Sequence, residues 1–141
     1  MSLREIVAQL LVIPCYGDSP NSRSKAYQKF VHEVRDLGVG GLIVNNRVQG
    51  GLVRNAEPHA MAAFFNRMQR YAKTPLIIAG DFERGASMRV EGTTVFPHAM
   101  AFGATGDPAY SRYEGEVTAR EARARRSLDL LPRRGRQQQP R

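Results

Sequence analysis

The chain has 141 residues, 42% hydrophobic and 24% charged, the size and mix of one folded domain. No apolar run approaches the roughly 18 residues that cross a bilayer, and a single cysteine, Cys15, excludes an internal disulfide framework. The net charge of +8 is unevenly placed: from Arg123 onward seven arginines stand against one acid, Asp129, which is +6 and leaves residues 1–122 at +2.

The chain opens with Ser2 followed by Glu5, a capping-box pattern, and Leu3, Ile6, Val7 and Leu10 form a helical stripe. Mixed charges and the lack of a small-residue cleavage site argue against a secretory leader. The expected location is cytoplasmic, unless residues upstream of Met1 supply one. An apolar run ending at Pro14 reads as a first strand, with Cys15 beside it as a buried structural thiol. Tyr27, Phe30, Val31 and Val34 share one helix face, and Gly38 stops that helix. "GGLIVNN" suits a strand covered on both faces. Met61, Phe64, Phe65 and Met68 mark the next helix, entered through Glu57-Pro58, and "PLIIAG" is a third strand. Asp107-Pro108 has the chemistry of a helix start, the helix running through Tyr110, Tyr113 and Val117 to about Arg123. His32, His59 and His98 are singletons without metal-ligand spacing, so no metal site is expected.

The strand centres, near Leu11, Leu42 and Leu76, lie 31 and 34 residues apart. Strands repeating at that interval with helices between them predict a parallel α/β architecture. An open doubly wound sheet and a (β/α)8 barrel both begin this way. In either, ligands bind at the carboxyl ends of the strands.

The third strand runs into "DFERGASMRVEGTTVFP". Asp81, Glu83 and Arg84 form either a surface ion-pair cluster on a turn or part of a site. The long Gly-, Arg- and Glu-bearing loop favours the site. Other chemistries find no support. Ser87 lacks G-x-S-x-G, "GVGG" precedes a strand instead of following one, and "NNRVQGG" lacks the P-loop lysine and hydroxyl. A strand-end carboxylate offers two oxygens to vicinal hydroxyls, which suits a sugar. Arg84 or Arg89 would hold it ionised. Hydrolysis needs a second carboxyl across the scissile bond, and Asp81 and Glu83, two residues apart, make a poor pair.

Five blocks, "SLREIVAQLL", "LGVGGLIV", "FNRMQRYAKTPLIIAGDFERG", "MRVEGTTVFPHAMAFGATGDP" and "VTAREAR", resemble in order the start of the catalytic domain of glycoside hydrolase family 3. The resemblance covers residues 1–123. It implies an incomplete TIM-type (β/α)8 barrel, about the first three to four βα units. It implies retaining hydrolysis of β-N-acetylhexosaminides or β-glucosides, without metal or organic cofactor. Asp81, opening the family's D-x-E-x-G segment, is implied to hold sugar hydroxyls. Glu83, Arg84 and Gly85 are implied as its supporting loop, and Arg89 as a loop-orienting substrate contact. The hexosaminidase-type branch is the nearer one. The family's nucleophilic aspartate, its Lys-His pair and its acid/base loop lie further along than this chain runs. No catalytic residue is therefore assigned, and the chain alone is expected to be inactive.

Residues 124–141 read as a separate Arg-rich tail. Codons for Ala-Asp-Val-Asn-Asn-Asn-Pro, the family phrase ending the fourth strand, spell Gly-Arg-Gln-Gln-Gln-Pro when the first two bases are dropped. That is the run Gly135 to Pro140. A reading-frame slip shortly after Arg123 is the expectation. The alternative is a non-enzymatic remnant or binding module whose basic tail contacts nucleic acid. The tail's want of aromatics and helical repeat disfavours it. Three or four barrel strands also leave an open edge, so self-association is expected.

Overall fold

The computed structural model describes residues 1–17 and 21–124. The expectations for the tail beyond Ala124 lie outside these described residues.

Helix α1 (Leu3–Ala8) carries the complete capping box: Glu5 N–H donates to Ser2 Oγ at 3.3 Å and Ser2 N–H to Glu5 Oε2 at 2.7 Å. Strand β1 (Val12–Cys15) follows. It includes Pro14 and runs one residue past it. Leu11 and Cys15 carbonyls accept from the next strand. By alternation Pro14 therefore faces the outer edge, where its missing N–H costs no ladder bond.

Helix α2 (Lys25–Val31) is capped by Ser24 and continues as a π-helical turn, His32–Leu37. There Gly38 N–H donates to Glu33 O at 3.0 Å. Gly38 ends it at φ 77°, as expected of the helix stop. The π turn itself had no signal in the residue spacing.

Strand β2 (Gly41–Val44) leads into a hairpin of β3 (Arg47–Gln49) and β4 (Leu52–Arg54). Gly50 and Gly51 form its two-residue turn, both at positive φ (58° and 76°), the geometry of a primed hairpin turn. The hairpin is not among the elements expected from the sequence. Helix α3 (Pro58–Tyr71) starts where the Glu57 carboxylate accepts from His59 and Ala60 N–H at 2.9 and 2.7 Å. Strand β5 (Ile77–Gly80), a 3-10 turn (Ala86–Met88), α4 (Ala99–Thr105) and α5 (Pro108–Ala124) complete the described elements. Helix α4 was not foreseen. None of its residues is buried, so no apolar stripe marks it.

The three long strands form a parallel sheet in the order β1-β2-β5. Its register places Ile13, Leu42 and Ile78 in one row and Cys15, Val44 and Gly80 in another. Ile13, Leu42, Ile78, Cys15 and Val44 meet Tyr27, Val31 and Val34 of the α2 region and Met61, Phe64, Phe65 and Met68 of α3 in one apolar core. Phe64 stacks edge-on against Phe30 at 5.4 Å. Burying such rings contributes about 2–3 kcal/mol each. Gln69 ties α3 to the start of β5, donating to Leu76 O at 2.8 Å and accepting from Leu76 N–H at 3.0 Å. On the other face the first row is open, with Val12 and Ile77 47% and 52% exposed, while Ala79 in the next row is buried. Among the described residues no helix is long and apolar enough to cross a membrane.

Candidate functional site

The carboxyl ends of the three parallel strands come to one side. Tyr16 follows β1, Asn45 and Asn46 follow β2, and Asp81 follows β5. Gly80 admits the Phe82 ring against its backbone, since a Cβ there would meet the ring at 2.3 Å. Gly80 and Phe82 thus share the helix-covered face, and alternation turns the Asp81 side chain between them to the other face.

Arg89 Nη2 donates to Asp81 Oδ2 at 3.4 Å. Arg89 Nη1 donates to Asn46 Oδ1. Asn46 Nδ2 in turn donates to Asn55 Oδ1 at 2.6 Å, and Asn55 Nδ2 to Ser87 O at 2.8 Å. The backbone repeats this link: Ala56 N–H donates to Arg89 O at 2.7 Å and Glu91 N–H to Ala56 O at 3.0 Å. Side-chain amides therefore join the end of β2, the exit of the hairpin and the loop after β5, and they hold the guanidinium that meets Asp81. The Nε–H of Arg89 is buried without an acceptor.

Beside this network lies a cleft of about 590 Å3, lined by Tyr16, Asn45, Asn46, Val53, Arg84, Met88 and Arg89. That volume accommodates a small ligand. Tyr16 lies under the Arg47 guanidinium, 4.7 Å from the ring centre.

The residues singled out from the sequence separate here. Asp81 and Arg89 are in contact, and Arg84 is on the cleft wall. Of the two arginines weighed as partner of the Asp81 carboxylate, Arg89 is the one that reaches it. Glu83 is exposed and outside the cleft. Gly85, at φ 85°, leaves room for Phe96, whose ring a Cβ would meet at 2.8 Å. Asn45, Asn46, Asn55 and Tyr16 escaped notice. The signal for two of them was present, since two amides directly after the apolar run "GLIV" are polar groups at the mouth of a buried strand.

Residues 2–129 match the family model described as the Glycosyl hydrolase family 3 N terminal domain. The chain belongs to glycosyl hydrolase family 3. A beta-N-acetylglucosaminidase/beta-glucosidase of Cellulomonas fimi is 35% identical over 86 residues, 61% of this chain and 15% of that protein. The structure of a glycoside hydrolase family 3 beta-N-acetylglucosaminidase from Paenibacillus sp. str. FPU-7 matches with TM-score 0.71 and 26% identity, over 94% of this chain and 24% of that one. The beta-glucoside phosphorylase BglX bound to 2FGlc matches with TM-score 0.70 and 25% identity, over 90% of this chain and 20% of that one. This family 3 chain thus spans about a quarter or less of the relatives it matches. The ambiguity between open sheet and barrel is resolved: the three parallel strands and their helices are the first units of an incomplete TIM-type barrel.

Proposed function

We propose that this chain carries the sugar-orienting part of a retaining β-glycosidase site for β-N-acetylhexosaminides or β-glucosides. Asp81 accepts hydrogen bonds from vicinal hydroxyls, and Arg89, in contact with its carboxylate, keeps it aimed. The observation that carries this reading is the Arg89–Asp81 contact at the carboxyl end of β5, beside the cleft.

Retaining hydrolysis needs two carboxyl groups about 5–5.5 Å apart across the glycosidic bond. Glu83 is exposed and off the cleft wall, so it makes no such pair with Asp81. The nucleophile and acid/base belong to barrel units beyond the three described, and this chain alone orients sugar without cleaving it. Aryl β-glycosides are expected to give no release above a buffer blank. N-acetylglucosamine is expected to shift the amide resonances of Asp81 and Arg89, an effect lost in Asp81→Ala. Release that disappears in Asp81→Ala overturns the division of labour, and resonances indifferent to sugar overturn the orienting role.

A second reading rests on the +6 charge from Arg123 onward: a non-enzymatic binding module whose tail contacts nucleic acid. Its affinity would fall steeply with salt, and absence of binding to labelled DNA or RNA at low salt removes it.

A further inference from the structure

The cleft wall is unbalanced in charge. It presents two arginines, two asparagines and a tyrosine, and among its lining residues no carboxylate. The two arginines are employed differently. Arg89 is directed at Asp81 and Asn46. Arg84 is half-buried, and among the described residues no carboxylate pairs with it. Its neighbour Glu83 stays exposed.

A guanidinium cannot shed its proton, and partial burial without a counter-charge is unfavourable. Its planar fork of donors matches a carboxylate or a phosphate in bidentate fashion. In the segment D-x-E-x-G, Arg84 occupies the second open position, three residues after Asp81. A ligand in this cleft therefore meets a guanidinium with no carboxylate partner among the described residues, on the loop opened by Asp81, which itself touches the cleft-lining Arg89.

We propose that the cleft takes saccharides bearing an anionic group, a carboxylate or a phosphate, with Arg84 recognising that group. This rests on the reading of Asp81 as the sugar-orienting residue and narrows the substrate class to acidic sugars. The same chemistry admits free phosphate as the source of the anion.

Titrating the isotope-labelled chain with four probes separates these cases: N-acetylglucosamine, N-acetylglucosamine 6-phosphate, glucuronic acid and inorganic phosphate. At least one acidic sugar is expected to bind roughly tenfold more tightly than the neutral one, with shifts centred on Arg84. Arg84→Gln is expected to bring acidic and neutral affinities together, and Arg84→Lys to keep part of the difference. Inorganic phosphate binding as tightly as the sugar phosphate, and losing that affinity in Arg84→Gln, supports the anion site with free phosphate as the source. Neutral and acidic sugars binding equally, or a preference surviving Arg84→Gln in a variant with an intact amide spectrum, overturns the proposal. If the neutral sugar still binds in an Asp81-dependent manner, only this inference falls. If no sugar binds, the orienting role of Asp81 falls with it.

Discussion

The guanidinium of Arg89 bridges Asp81 and Asn46: Nη2 is 3.4 Å from Asp81 Oδ2, and Nη1 reaches Asn46 Oδ1. One side chain thus ties the ends of β5 and β2 together. The Arg89 side chain is 16% exposed and that of Asp81 40%, so solvent screens the pair and its net worth to stability is about 1 kcal/mol at most. Its value is geometric. A lysine supplies the charge but cannot address both partners as a planar fork. Arg89→Lys is expected to leave the urea midpoint nearly unchanged while weakening N-acetylglucosamine binding roughly tenfold. Unchanged binding would remove Arg89 from the site.

Asn55 makes the next link, accepting from Asn46 and donating to Ser87 O. Asn55→Ala leaves a part-buried carbonyl and amide without partners, at a cost of about 1–2 kcal/mol. The loosening is expected where the bonds were. Hydrogen exchange should accelerate over residues 83–90 before it does so in α3. Uniform acceleration through the chain would mean that Asn55 serves the fold and not the loop.

"LGVGG" contains glycines with different duties. Gly38 adopts φ 77° with open space around it, so Gly38→Ala costs about 1–2 kcal/mol for left-handed backbone. Gly40 is packed on α1: a Cβ would fall 1.9 Å from the backbone oxygen of Gln9. Its N–H also reaches Ala8 O and Leu11 O, so neither backbone can move aside cheaply. Gly40→Ala is expected to cost on the order of 3 kcal/mol or more, and thermal melts of the two variants should rank them in that order.

That contrast marks what was legible. Gly38 as a helix stop, the Ser2–Glu5 box, the Met61–Met68 stripe and the three parallel strands all follow from local chemistry or periodicity, which neighbours in sequence determine. Asp81 was legible because a carboxylate closing an apolar run is out of place. The Asn46–Asn55–Ser87 link was not, because its members meet only after the hairpin folds back. The hairpin itself was legible in Gly50-Gly51 between Val48 and Leu52. Its strands are wholly exposed, however, so no buried alternation drew attention to them.

Asp36 supplies a pH-dependent contribution on the π turn. Hydrogen bonds from Arg35, at 2.7 Å, and His32, at 3.0 Å, hold its carboxyl down at about 2. The stability it contributes is present above its usual value of 3.8 and is lost as pH falls through about 2. The side chain is 41% exposed, so the effect is small. Wild type and Asp36→Asn should differ in urea midpoint at pH 5 and converge near pH 2. A difference that persists at pH 2 would assign the effect to packing.

The open row of the second sheet face makes the strongest physical demand on this chain. Parallel sheets are ordinarily buried on both sides, yet Val12 and Ile77, flanking Gly41 in one row, are 47% and 52% exposed. Among the described residues, β1 and β5 each pair only with β2, which leaves two unpaired edges. They are not equivalent. Pro14 removes an N–H from the outer edge of β1, while β5 (Ile77–Gly80) contains no proline and keeps its outer donors. Association is therefore expected through the open row and the β5 edge. Sedimentation should show a mass that rises with concentration in the micromolar range. Ile77→Lys, which places a charge on the open row at a half-exposed position, should shift the chain toward monomer without lowering its melting temperature by more than a few degrees. A monomer with a sharp, cooperative melt at every concentration would show that the face is satisfied within a single chain.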